Sequence, residues 1–195
     1  MDRVELILNG ISGKILDVGC YCGTLHKRIL GKFPQENVYG IDTEIKEQNE
    51  HYKRAFAENI PFSNNFFDSI VAGELIEHLK EPELFLKEAN RLLKKGGTLI
   101  ITTPNKGSLI NIIFHNYEQP NAPLHFSLFN EKELRKLLEK NGFNFKKVHF
   151  LPYTKESCDG TRHKSILGIR IWVNKSLPKK LRENILSISK KVTTL

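Results

Sequence analysis

Short apolar runs bounded by glycine, asparagine or charged residues alternate along the chain with stretches whose apolar residues recur every three or four positions. That alternation predicts βαβ units wound around a parallel sheet. Residues 14–19, 37–42, 67–73 and 98–103 read as strands buried on both faces, with a weaker strand at 54–57. Residues 23–30, 44–51 and 83–93 carry the helical period of crossover segments. Asn130, with Glu133 three positions on, opens a further helix that Asn141 and Gly142 close. Beyond it, residues 143–151 and 166–173 read as two strands able to pair as an antiparallel edge. Leu177, Leu181, Ile185, Ile188 and Val192 then space out a basic amphipathic helix.

Length turns this pattern into an architecture. A chain of 195 residues accommodates one core of ordinary size. The expected class is therefore α/β, a Rossmann-like three-layer sandwich with a mostly parallel seven-stranded sheet and an antiparallel edge strand. Residues 1–173 are expected to form the domain and 174–195 the appended basic helix. No run approaches the roughly 18 apolar residues of a membrane span, and the start has no cationic region followed by an apolar one, so a soluble cytoplasmic protein is expected. Cys20, Cys22 and Cys158 lack metal-finger spacing and read as reduced thiols.

The net charge of +8 changes the picture only through its placement. From Lys155 onward ten basic residues face three acidic ones, and the rest of the chain is nearly neutral. For residues 175–195 this leaves docking on the domain, peripheral contact with an anionic membrane, or contact with nucleic acid; docking is the default reading. The near-neutral remainder, without an evident basic groove, argues against nucleic acid.

The first candidate chemistry is the segment from Ile15 to Leu25, ILDVGCYCGTL, a strand running through a glycine-containing loop into a helix. Such a loop turns backbone N–H groups toward a ligand. Asp42, at the end of the next strand, is placed to accept hydrogen bonds from both ribose hydroxyls, which implies an adenosine-containing ligand. A dinucleotide requires G-x-G-x-x-G, and the corresponding positions are Gly19, Tyr21 and Thr24, so two of three glycines are missing. Asp17 would repel a phosphate yet suits the ammonium or sulfonium end of S-adenosylmethionine.

On these residues the chain resembles the class I S-adenosylmethionine-dependent methyltransferases, in particular their small-molecule subgroup that includes enzymes of ubiquinone and menaquinone biosynthesis. ILDVGCYCG is similar to the first motif of that family and VYGID to its ribose-binding strand end. AENIPFSNNFFDSIVAGELIEHL resembles the adenine-holding stretch and fourth strand, EANRLLKKGGTLIITTPN the following helix and fifth strand, and HFSLFNEKELRKLLEKNGF the next helix. The resemblance implies cofactor contacts from Asp17, Gly19, Cys20, Tyr21, Gly23, Asp42, Thr43, Ala57, Glu58, Gly73 and Glu74. Tyr21 departs from the glycine usual in the family and is expected either to crowd the methionine moiety or to lie over it.

Methyl transfer is an in-line displacement, so holding the nucleophile against the methyl carbon supplies much of the rate. A hydroxyl or ammonium acceptor also needs a base, and His125 and His78 are the candidates. Glu74, Glu77 and His78 form an E-x-x-E-H unit that His125 could complete as a site for Mg²⁺ or Zn²⁺, as in metal-dependent methyltransferases of quinone precursors and RNA ribose; whether a metal is used stays open. The acceptor is expected to be a small molecule, shaped by residues 104–129 and 152–163. The alternatives are metal-dependent RNA methylation and a non-catalytic S-adenosylmethionine-binding protein.

Overall fold

Residues 2–21, 23–108, 125–152, 176–182 and 184–192 are described by the computed structural model. Helix α1 (Arg3–Gly10) is started by a capping box in which the Asp2 carboxylate accepts the Glu5 N–H and the Glu5 carboxylate accepts the Asp2 N–H. The chain continues through β1 (Ile15–Val18), α2 (Thr24–Leu30), β2 (Val38–Asp42), β3 (Tyr52–Arg54), β4 (Phe67–Gly73), α3 (Pro82–Leu92), β5 (Leu93–Pro104), α4 (Glu131–Lys140), β6 (Phe143–Leu151) and β7 (Asn184–Lys191). The strands form one seven-stranded sheet in the order β3-β2-β1-β4-β5-β7-β6. Strands β1 to β5 run parallel, and β7 runs antiparallel to both β5 and β6. The expected mostly parallel sheet is present, with its reversed strand one place in from the edge.

Strand alternation divides the core. Ile15, Val38, Val71, Ile100 and Leu186 point to the face covered by α1 and α2. Leu16, Ile41, Ile70, Leu99 and Ile185 point to the face covered by α3 and α4. With both faces covered, the central strands read as continuous apolar runs, which is why their positions were legible. Asn130 caps α4 through a capping box with Glu133, as its spacing predicts.

Three expectations need correction. Residues 44–51 are not a helix but an irregular connection, and the third strand lies at Tyr52–Arg54 rather than 54–57. Asn49 stabilises the irregular path by accepting the His51 and Tyr52 backbone N–H groups on its side-chain oxygen, local bonds that compete with helix. The basic amphipathic helix of residues 174–195 does not form either. Its described residues contribute a tight turn (Lys179–Leu181) and then β7, buried between β5 and β6. Ile185 and Ile188, which a helix would carry on one side, pack on opposite faces of the sheet. The domain therefore extends through Lys191, and membrane contact through an amphipathic helix here loses its basis. The expected strand at 166–173 lies outside the described residues. Among the described residues no helix is long and apolar enough to cross a membrane.

Candidate functional site

Because β1, β2, β4 and β5 are parallel, their carboxyl ends share one edge of the sheet, where loops can converge on a ligand. Gly19 follows β1 with φ +81°, a conformation that glycine adopts without strain. Its N–H and that of Cys20 both donate to the Ile41 carbonyl, at 2.9 and 3.1 Å, so the loop is fastened across to β2. Gly23 caps α2, and its N–H donates to the Cys20 carbonyl.

Asp42 ends β2. One carboxylate oxygen accepts the Tyr21 N–H at 3.1 Å and the other the Glu44 N–H at 3.0 Å. Each oxygen keeps a lone pair, so the carboxylate can still receive the two hydroxyls of a ribose. Thr43 is exposed beside it, Ala57 is buried after β3, and Glu58 and Gly73 are half-buried. Tyr21 is 45% exposed, so its ring is not packed into the loop.

Asp17 is buried, and its Oδ2 lies 3.0 Å from Nδ1 of His26 in the first turn of α2. His26 Nε2 in turn lies 3.0 Å from the Tyr52 hydroxyl. Burial raises the Asp17 pKa, while its hydrogen bond and charge interaction with His26 oppose the rise. This Asp–His–Tyr chain ties β1, α2 and β3 together; sequence reading missed it because the three residues are far apart in number. The only local signal was a histidine on the first turn after the loop. Burial, followed by the carboxylates of Asp17 and Asp42, pushes the Cys20 thiol up to about 12, so it stays neutral. A Cβ on Gly40 would fall 2.5 Å from Cys20 Sγ, so this close approach requires glycine. Beside the loop, an open cleft of about 310 Å³ is lined by Cys20, Tyr21, His26, Ile45, Lys46, Glu47 and Tyr52, where the expected helix is missing.

A second cluster lies at the ends of β4 and β5. Glu74 has φ +53°, and its N–H donates to the Thr102 carbonyl, at 3.0 Å. Its carboxylate pairs with Arg3 at the start of α1, at 3.1 Å. Glu77 is buried and accepts the Thr103 hydroxyl at 3.0 Å, while its own carbonyl accepts the Phe126 and Ser127 N–H groups. Those two bonds bring His125 to His78, with ring centroids 4.9 Å apart. Ligand atoms of Glu77, His78 and His125 all lie within 4.8 Å of one another, an N and O donor set suited to a divalent cation. Glu74 stands outside this group, paired instead with Arg3. The tertiary fold thus unites three of the four E-x-x-E-H and His125 candidates.

Burial, then the Glu74 charge, raises the Glu77 pKa from an ordinary 4.5 to about 8, against the opposing hydrogen bonds and Arg3. A folded-state pKa above the unfolded one gives stability that is complete below the unfolded value and is lost as pH rises toward 8. With divalent ions chelated, thermal stability should fall between about pH 5 and pH 8, on the order of 3–5 kcal/mol in total. Glu77→Gln should remove most of that slope; identical melting profiles for the variant and the parent would place the pH dependence elsewhere.

Comparison with known proteins agrees with this geometry. A family model described as a methyltransferase domain matches residues 2–148. The mouse protein named ubiquinone biosynthesis O-methyltransferase, mitochondrial, is 31% identical over 171 residues, covering 72% of this chain and 44% of its own length. The Pelagibacter ubique protein of the same enzyme name is 30% identical over 165 residues, covering 68% of this chain and 65% of itself. The chain thus spans under half of the first relative. Among solved structures, the Burkholderia thailandensis 1,6-didemethyltoxoflavin-N1-methyltransferase, with 1,6-didemethyltoxoflavin and S-adenosylhomocysteine bound, superimposes with TM-score 0.65 at 16% identity over 97% of this chain and 77% of its own. The [4+2]-cyclase SpnF superimposes with TM-score 0.64 at 15% identity over 98% of this chain and 80% of its own. At these identities the structural likeness concerns the fold alone.

Proposed function

Since the chain belongs to the methyltransferase-domain family, we propose that it transfers a methyl group from S-adenosylmethionine to an oxygen of a small-molecule acceptor. The supporting observation is the placement, on one edge of the sheet, of the Gly19–Asp42 cradle and the Glu77–His78–His125 cluster. Asp42 receives the ribose hydroxyls, and the open left-handed turn at Gly19 admits the ligand close to the backbone. When bound, the sulfonium supplies an electrophilic methyl group. His125, exposed at the mouth and held by its neighbours' bonds to Glu77, removes the acceptor's proton, with His78 beside it. The relatives named for O-methylation favour oxygen as the accepting atom.

A second reading concerns a divalent cation held by Glu77, His78 and His125, favoured by the mutual approach of their ligand atoms. Such an ion would acidify an acceptor hydroxyl as a Lewis acid. The experiment is methyl transfer from labelled S-adenosylmethionine to a small-molecule extract, with and without a chelator. Labelled product in both conditions supports His125 as base; product only in the absence of chelator, restored by Mg²⁺ or Zn²⁺, supports the cation. No labelled product, together with no binding of S-adenosylhomocysteine, would sink the enzyme reading.

A further inference from the structure

The charge excess near the C-terminus has a different location from that of a solvated helix. Asn184 pairs with both Pro104 of β5 and Leu151 of β6. The turn Lys179–Leu181, which leads into β7, therefore lies on the carboxyl edge of the sheet, the edge that carries Gly19, Asp42 and the Glu77 cluster. Asn105, 1% exposed, clamps it there: its Nδ2 donates to the Lys180 carbonyl at 3.0 Å and to the Arg182 carbonyl at 2.8 Å. The Asn105 backbone also bridges Phe129, and the Lys106 N–H donates to the Phe129 carbonyl. One buried amide thus fastens the basic turn to the segment that carries His125.

Lys147 and His149 stand two residues apart on β6, on one face of the strand, and Lys179 is near enough for its charge to act on the His149 imidazole. Lys94, Lys106, Arg91 and Arg135 each have a carboxylate partner. Among the described residues none pairs with Lys147, Lys179 or Lys180. Among the described residues, the buried Nε2 atom of His149 has no hydrogen-bond partner. Lys147 and Lys179 both act on the His149 imidazole, and like charges brought to one group repel; an anion seated among them relieves that repulsion. Burial, then the charges of Lys147 and Lys179, holds the His149 pKa down.

We propose that Lys147, His149, Lys179 and Lys180 form an anion-recognition surface that seats a carboxylate or phosphate carried by the methyl acceptor. The assignment to the acceptor rests on the transfer reading above, while the anion site itself does not. From β5, where the His125 segment is anchored, to β6 is two strand spacings, about 10 Å. The anionic group is therefore remote from the methylated atom, on an acceptor longer than a single ring. A lipid headgroup offers the same phosphate chemistry, but the shared anchor on Asn105 favours an occupant that reaches His125.

The test uses the full chain and Lys179→Gln/Lys180→Gln, exposed positions whose change leaves the core intact. The His149 imidazole resonances are followed during titration with inorganic phosphate against sodium chloride at equal ionic strength. A saturable shift with phosphate alone, weakened at least fivefold in the double variant, is expected. Equal responses to the two salts, or equal responses of the two proteins, would overturn the site. In the second arm, product of labelled methyl transfer to a small-molecule extract is passed over an anion exchanger. Retained product, reduced at least tenfold in the double variant with S-adenosylhomocysteine binding unchanged, supports the acceptor assignment; neutral product overturns it. Sedimentation with phosphatidylserine vesicles but no response to phosphate would also overturn it, in favour of a lipid surface. A phosphate response without any transfer would mean that the transfer reading, not the anion site, had failed.

Discussion

Asp42→Ala is expected to weaken S-adenosylhomocysteine binding by two to three orders of magnitude, measured by titration calorimetry. The carboxylate at the end of β2 accepts the Tyr21 and Glu44 N–H groups and retains a lone pair on each oxygen. Hydrogen bonds to a charged group contribute roughly 1.5–3 kcal/mol each. Taken at the lower end of that range, loss of two from the ribose gives about 3–4 kcal/mol, or a factor of 10²–10³ in affinity. The alanine variant also releases both ends of the loop cradle, so Asp42→Asn separates the two effects. An amide keeps one accepting oxygen and should show a smaller loss, while a melting temperature near that of the parent shows that the fold survives. Affinity within threefold of the parent for Asp42→Ala would mean that the ligand is held elsewhere.

His125→Ala should lower turnover by about 10²–10³, in the range for removal of a general base, with S-adenosylhomocysteine affinity changed less than twofold. The side chain is exposed, and its position is maintained by backbone bonds of Phe126 and Ser127 to Glu77, so truncation should leave the fold undisturbed. Rescue by added imidazole points to a base. Restoration by raised Mg²⁺ or Zn²⁺ points to a ligand whose loss weakens the ion. His78→Ala measured alongside tells which ring of the tilted pair dominates. Retention of more than a third of the activity by His125→Ala would remove it from the chemistry.

Much of the site was legible because its parts are local. The loop from Asp17 to Gly23 and the carboxylate of Asp42 each close a strand whose apolar run marks its end, and parallel strands must bring those ends together. Glu74, Glu77 and His78 fall in one short segment, so their proximity needs only the chain itself. The arrival of His125 depends on backbone bonds from Phe126 and Ser127 to the Glu77 carbonyl, which periodicity does not encode. The same holds for the Asp17–His26–Tyr52 chain and for the Arg3–Glu74 pair, which diverts one of the four expected ligands.

Among the described residues, the sequence by itself determined the order of strands and helices from Ile15 to Leu151, apart from residues 44–51, and the position of the candidate loop after β1. Hydrophobic period, caps and glycine turns are properties of neighbouring residues. Only the tertiary structure decided the fate of residues 184–191. Their apolar spacing fits a helix, yet an open strand position between β5 and β6 buries Ile185 and Leu186 on opposite faces and supplies backbone partners on both sides. Burial and pairing over that distance outweigh local helix preference, and they carry the basic turn to the edge where the candidate transfer site lies.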